Sequence, residues 1–408
     1  MRIQTIFSEL LGLQAVILRG VDLDTEEHRL VAEVSLRGRR HRCPRCGHCS
    51  KAAYDSHERR WRHLPLGRYR VWLRMSVSRL VCPTHGVIVE AVPFAEHDQA
   101  FTTAFEDLAA WLTREMSKTA VTRFLRVSWS AIGAMITRSV ARHRGPDQLD
   151  GLFVIGVDEK SYRRGHKYLT IVVDHLRGLP TWIREGRSQA TLSAFFDALG
   201  PDRSWFILVV SMDMCAAYIA AVREAVPTAH IAFDPFHVVR LANEALQTVR
   251  RTDARELKGT PAAKVLKGER WTLLRASENL DDAQRVRLAD VARLNQRVYR
   301  AYMLKEELRA LYRCPDVETA RKHLDDWLAW ASRSKLAPFV RLARTLRRYK
   351  DGVLAAIHFH ISNARLESLN AKIDLVQRRA FGFHSAEALI AMIWLCCTPI
   401  AIPLPTDP

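Results

Sequence analysis

The chain has 408 residues, 48% hydrophobic and 26% charged. This is ordinary globular composition, with length for two or three domains and a sizeable core. A formal net charge of +18 points instead to a polyanionic partner, for which DNA and RNA are the usual choices.

The opening stretch, MRIQTIFSELLGLQ, carries Glu9 inside its apolar run and no small-residue cleavage site, so it does not read as a signal peptide. The one long apolar run, ALIAMIWLCCTPIAIPLP, is cut by Pro399 well short of the ~20 residues that span a bilayer. A buried closing helix and a soluble chain with no membrane partner are expected. Eight cysteines are present, and Cys43, Cys46 and Cys49 crowd together. A chain this large needs no disulfide staples, so a metal site in a reducing, cytoplasmic setting is expected.

Residues 1–98 mix strand-like alternation with that cysteine cluster. Val71, Leu73, Met75 and Val77 alternate with Arg70, Trp72, Arg74 and Ser76, the period of a half-buried strand. Cys43-Pro-Arg-Cys46-Gly is a knuckle whose two thiolates can reach one tetrahedral ion, and Cys82-Pro83-Thr84-His85-Gly86 repeats the spacing with an imidazole last. A strand pair between them would make a zinc ribbon that folds around structural Zn2+. The expected ligands are Cys43, Cys46, Cys82 and His85, with Cys49 able to replace one. His57 and His63 read as polar loop residues.

Residues 99–147 are helical and end at Gly145-Pro146. A segment from Ser117 to Leu125, a short turn, and a second helix from Trp129 with Ile132, Ile136 and Val140 on one face have the layout of a helix-turn-helix. Ser128 is the expected N-cap. Ser130, Arg138 and Arg142 lie off the apolar stripe and are the candidate DNA contacts.

Residues 148–248 change to short apolar strands alternating with helices. Leu152 to Val157 run into Asp158-Glu159-Lys160; after a turn at Gly165-His166, Tyr168 to Val173 and Thr181 to Arg184 form two more strands. A helix over Ala190 to Leu199, a strand from Trp205 to Val210 leading to Asp213, a helix over Ala216 to Ala225, and a strand from His230 to Phe233 ending at Asp234 follow. Three strands, helix, strand, helix, strand is the order of ribonuclease-H-like enzymes, in which the first and fourth strands are neighbours. Asp158 and Asp213 would then meet. Successive side chains on a strand face opposite ways, so only one of Asp158 and Glu159 can line the site, and spacing alone leaves that choice open. A third acid comes from a helix over Asn363 to Arg378, where Glu367 and Asn370 border the stripe Leu366, Leu369, Ile373 and Val376; Asp374 competes for the role. Three such carboxylates can hold two Mg2+ (or Mn2+) ions ~4 Å apart for attack on phosphorus.

Taken together, CPRCG at 43–47, IGVDEKSYRRGHKYLTIVVD at 155–174, VVSMDMCAAYIAAV at 209–222, DPFHVVRLAN at 234–243 and SNARLESLNAKIDLVQRRAFGF at 362–383 resemble bacterial insertion-sequence transposases of the ISL-three type. The resemblance runs over nearly the whole chain. It implies a catalytic triad of Asp158, Asp213 and Glu367, with Asp234 and His237 as a site-supporting D-x-x-H element. It implies an all-α insertion at 249–356 and closing helices of the catalytic core at 357–408. One departure is His85, where relatives generally carry Cys. The fold expected is therefore α/β: a ribonuclease-H-like catalytic domain with an all-α insertion, preceded by a small zinc ribbon and a helix-turn-helix. The activity implied is nicking at terminal inverted repeats and joining of the freed 3′-hydroxyls to target DNA by a homodimer or larger synaptic assembly. A DNA-binding regulator without catalysis, and a structure-selective nuclease on the same fold, are the alternatives.

Overall fold

The computed structural model describes residues 3–13, 16–38, 40–163, 165, 167–361, 364–380 and 382–405. His166 of the expected turn and Asn363 of the expected helix start lie outside them. The chain divides into two compact units, Met1–Pro146 with Ile373–Pro408, and Asp147–Lys372.

The first unit opens with α1 (Ile3–Leu10) and seven strands: β1 (Val16–Asp24), β2 (Arg29–Leu36), β3 (His41–Arg42), β4 (Cys49–Ser50), β5 (Asp55–Leu66), β6 (Tyr69–Cys82) and β7 (Gly86–Val89). The strand pair expected between the knuckles is β5–β6, but it does not stand alone. β6 also pairs in parallel with β2 and, antiparallel, with β7 at its far end, giving a sheet ordered β1-β2-β6-β5. The reason is visible in the alternation: Val71, Leu73, Met75 and Val77 are all at most 4% exposed, and they pack with Leu30, Ala32 and Trp61. A two-stranded ribbon could not bury such a row. Gly67 turns the hairpin at φ 56°, where a side chain would be strained.

Three helices follow, α2 (Thr103–Glu115), α3 (Lys118–Leu125) and α4 (Trp129–His143). Each starts at a hydroxyl N-cap, Thr102, Ser117 and Ser128, that accepts a backbone N–H three residues on. The turn between α3 and α4 is made by Arg126 in the left-handed region, φ 54°. Ile132, Met135, Ile136 and Val140 form the buried stripe of α4. The last helix of the chain, Ala386–Cys397, is apolar and buried on several sides, as expected. No helix among the described residues is long and apolar enough to cross a membrane.

The second unit is built on β8 (Val154–Arg163), β9 (Lys167–Asp174), β10 (Leu179–Glu185), α5 (Gln189–Leu199), α6 (Pro201–Ser204), β11 (Val209–Met212), α7 (Ala216–Ala225) and β12 (His230–Phe233). The sheet order is β10-β9-β8-β11-β12: β8, β9 and β10 form an antiparallel meander, and β11 joins β8 and β12 in parallel. Ile155, Val157, Val172, Val210 and Met212 pack against Leu192, Phe195, Tyr218 and Val222 from the helices. The strand expected over Trp205 to Val210 is displaced. Pro201 instead opens the short α6, Trp205 and Phe206 are exposed in the turn after it, and pairing begins only at Val209.

An all-helical stretch follows: α8 (Pro235–Glu256), α9 (Pro261–Gly268), α10 (Arg270–Leu274), α11 (Asp282–Leu294), α12 (Gln296–Ala310), α13 (Val317–Arg333), α14 (Ala337–Arg348) and α15 (Lys350–His358). Its buried residues, Leu304, Leu308, Trp327 and Phe339 among them, are continuous with the core of the sheet. α16 (Ala364–Arg379) returns to β8. Gly156 is what lets it come close: a Cβ there would lie 2.7 Å from a methyl of Leu366 and 3.0 Å from Nε2 of His175.

Candidate active site and metal centres

β8, β11 and β12 run parallel, so their carboxyl ends share one edge of the sheet, the usual place for a site in an open α/β sheet. Ser211 is in register with Gly156, and Met212 with Phe233. Asp213 and Asp234 directly follow the last residues of β11 and β12, and Asp158 lies within β8 two residues past its last pair with β11, so the three come near one another at this edge. Asp213 Oδ1 accepts from His237 Nε2 at 2.7 Å, and the same nitrogen is 3.3 Å from Asp234 Oδ2. One ligand atom from each of these three residues falls within 4.8 Å of the others. Asp158 Oδ1 accepts the N–H of Glu159 at 2.7 Å, and its Oδ2 accepts from Asn370 Nδ2 at 2.5 Å.

Burial pushes the Asp234 carboxyl up to about 6, and the charges of Asp213 and Asp158 add to the rise, against the Phe236 N–H and His237. Glu159 is also raised, first by burial and then by Asp213 and Asp158, with Arg187 opposing. Acidic groups that repel one another at a half-open strand edge favour a cation, and their carboxylate oxygens suit a hard divalent ion. The residues present thus fit the implied metal. Two arginines flank them: Arg240 Nη2 is 3.6 Å from Asp213, and Arg187 Nη1 is 3.8 Å from Glu159.

Glu367 sits in the first turn of α16 and is exposed. Among the described residues it does not join the group made by Asp213, Asp234 and His237. Its helix nonetheless touches the site, because Asn370, one turn further on, holds Asp158; residues three apart share a helix face. Asp374 is half-buried a further turn away. Alternation left the choice between Asp158 and Glu159 open and the resemblance picked Asp158; sequence reasoning missed Arg240, whose place one turn after His237 on α8 was a usable signal.

In the first unit, Sγ of Cys43 is 3.7 Å from Nδ1 of His85, Sγ of Cys82 is 3.6 Å from that nitrogen, and Sγ of Cys46 is 3.5 Å from Sγ of Cys82. These are edge lengths of a tetrahedron whose centre is about 2.0–2.3 Å from each donor, the distance of zinc from nitrogen and sulfur. Burial would raise the Cys43 thiol, but the N–H groups of Cys46 and Arg45 outweigh it and hold it down to about 6, which suits a thiolate ligand. Cys49 is exposed and outside this group. His57 and His63 are not loop residues: both lie in β5, where His57 is exposed and His63 is buried, 3.0 Å from Thr102 Oγ1 and 2.9 Å from the Leu11 carbonyl.

Ser130 is exposed at the start of α4, beside Trp129 and on the same side as Ala134, Thr137 and Ala141. Arg138 and Arg142 look elsewhere. Arg138 donates to Glu106, and Arg142 to Glu106, Asp107 and Glu96, at distances of 2.5–3.1 Å. The side chains of Glu106 and Asp107 are 1% and 7% exposed, and buried carboxylates require such partners. The two arginines thus tie α4 to α2.

Three family profiles match the chain: one described as transposase over residues 155–393, one as the helix-turn-helix domain of transposase family ISL3 over 90–140, and one as the zinc-finger of transposase IS204/IS1001/IS1096/IS1165 over 39–85. The transposase for insertion sequence element IS1557 of Mycobacterium tuberculosis is 38% identical over 97% of this chain and 96% of its own length. The transposase for insertion sequence element IS1001 of Bordetella parapertussis is 32% identical over 85% of this chain and 86% of its own. With a zinc-finger, a helix-turn-helix and a ribonuclease-H-like sheet in the same order as these matches, the chain belongs to the ISL3 family of transposases.

Proposed function

We propose that this transposase cuts at transposon ends and joins the freed 3′-hydroxyls to target DNA at Asp158, Asp213 and Glu367. The observation that carries the reading is the convergence of Asp158, within β8, and Asp213, at the end of the adjacent β11, with α16 held against them by the Asn370–Asp158 bond. Asp158, Asp213 and Glu367 would hold two divalent ions, Mg2+ or Mn2+. When bound, these ions would activate the attacking oxygen and stabilise the leaving one. Glu367 lies one turn before Asn370 on the same helix and would have to turn towards the two aspartates to join. Asp234 and His237 support Asp213: His237 Nε2–H donates to it and fixes the direction of its carboxylate. Arg240 and Arg187 stand where they can meet the phosphates of a bound strand.

Cys43, Cys46, Cys82 and His85 are proposed as the ligands of structural zinc. The exposed side of α4, with Ser130 and Thr137, is proposed to enter the major groove, while Arg138 and Arg142 hold that helix in place. The proposed domain limits are 1–98, 99–147, 148–248, 249–356 and 357–408. A homodimer or larger assembly follows from the need to hold two transposon ends.

The test is a strand-transfer assay with Mg2+ and pre-cut ends carrying the element's inverted repeats. Joined products support the proposal; hydrolysis without joining would indicate a nuclease, and binding without either reaction a regulator.

A further inference from the structure

Between Asp326 and Asp351 the chain carries no acidic residue, yet it holds a run of arginines and lysines. The centre of this run is α14. Its apolar side, Phe339, Leu342, Ala343 and Leu346, is buried, which turns Arg341, Arg344 and Arg348 outward together, because residues three, four and seven apart share a helix face. All three are exposed, and they extend about 10 Å along the helix axis. Arg347 flanks them and donates to the Ser332 hydroxyl at 3.3 Å.

Elsewhere in the helical stretch, exposed arginines meet acids. Arg285 is 2.8 Å from Asp282, Arg293 is 3.0 Å from Asp290, and Arg321 is 3.9 Å from Glu318. Among the described residues no carboxylate comes within ion-pair distance of Arg341, Arg344 or Arg348. Like charges at this spacing destabilise a helix, so stability does not account for the row.

The row ends beside the carboxylate edge of the same unit. The Arg348 guanidinium lies 5.3 Å from the centre of the Tyr349 ring, and that ring is 5.3 Å from the ring of Phe233. Phe233 is the last residue of β12, immediately before Asp234. α14 also packs on α8, which carries His237 and Arg240.

We infer that the arginine face of α14 binds the phosphate backbone of the target duplex and leads it to the carboxylate edge. Guanidinium groups pair with phosphate oxygens, and contacts to the backbone hold a duplex without reading its sequence. That suits a target of no fixed sequence, whereas the transposon end has the helix-turn-helix to read it. The inference rests on the reading of this protein as a strand-transfer enzyme.

The experiment saturates full-length protein with a short pre-cut transposon end and then measures the affinity of that complex for a random-sequence duplex across salt concentrations. Wild type is compared with Arg341→Gln/Arg344→Gln/Arg348→Gln, and with Arg285→Gln/Arg293→Gln/Arg321→Gln, which removes as much charge from arginines that already have acidic partners. The α14 variant should bind the random duplex at least about tenfold more weakly, with a slope of log affinity against log salt shallower by about 2–3. The control should keep the wild-type slope, and both should melt and hold the transposon end as wild type does. A wild-type complex that takes up no second duplex, an unchanged slope in the α14 variant, or an equal loss in the control overturns the inference and leaves α14 a solvated face. Weaker hold on the transposon end, with random-duplex binding unchanged, also overturns it and gives the face to the end. Uptake of the second duplex needs no chemistry, so the expected slope change in a protein that joins no ends would support the surface while overturning strand transfer.

Discussion

Asp158 and Asp213 come together for a reason that lies in single residues. Gly156 and Ser211 pair in register, so the side chains two positions further on leave the sheet side by side. Glu159 faces the other way, towards Arg187 and Tyr218, yet it stays close enough to feel both aspartates. Asp158→Asn, Asp213→Asn or Glu367→Gln should each lower strand transfer on the order of 100-fold or more. Melting temperature should hold or rise, because removing one of several like charges relieves repulsion; a variant with full activity would remove that residue from the triad. His63 offers a separate test by pH. Burial holds its imidazole below the ordinary 6.5, so Nε2–H donates to Leu11 and the neutral ring is the folded form. The unfolded chain takes up a proton as pH falls below about 6.5 while the folded one does not. Stability of this unit should therefore be full above that pH and decline through the acid side of it. His63→Gln, which does not titrate, should flatten that decline in a thermal melt series; an identical slope would remove His63 as the cause.

Among the elements, α4 shows how far pattern reading reached. Its limits, its N-cap Ser128 and its buried stripe were legible, because period and capping chemistry are local. The partners of Arg138 and Arg142 were not, since Glu106 and Asp107 lie two helices earlier, in α2, and their burial depends on tertiary packing. Arg142→Met should cost about 3 kcal/mol by leaving Asp107 and part of Glu106 uncompensated. The loss would be read in denaturant melts; undiminished stability with weakened DNA binding would return Arg142 to the groove. The same division holds for the sheet of the catalytic unit. Strand order and the place of Asp213 were legible from the apolar runs, and Asp158 rather than Glu159 came only from the resemblance, whereas the start of β11 was not legible, because Trp205 and Phe206 look like strand residues until Pro201 opens a helix before them. Sequence spacing also marked Cys43, Cys46, Cys82 and His85, but the long β5–β6 pair that joins a larger sheet depends on β2, more than thirty residues before β6. That larger sheet has a consequence. Chelation of zinc should loosen the knuckle end, where the small cluster of Cys43, Leu80, Cys82 and Ile88 sits, while the core around Trp61 and Leu73 keeps its protection. Hydrogen exchange with and without chelator would read this, and exchange that rises uniformly across β1, β2, β5 and β6 would contradict it.

For the molecule as a whole, the net charge of +18 and the helix-turn-helix suit a protein that holds a polyanion, whereas the proposed site would set its own acids against one phosphate. Divalent cations would reconcile the two. Two metal arrangements are physically open: one on Asp158, Asp213 and Glu367, the other on Asp213, Asp234 and His237, whose donors are already close. Anomalous scattering from Mn2+ in crystals of the full chain bound to a pre-cut transposon end distinguishes them directly. The account predicts manganese peaks contacted by the carboxylates of Asp158, Asp213 and Glu367, with His237 donating to Asp213 from behind. Manganese held by His237 and Asp234, with Glu367 still turned to solvent beside the DNA end, would contradict it.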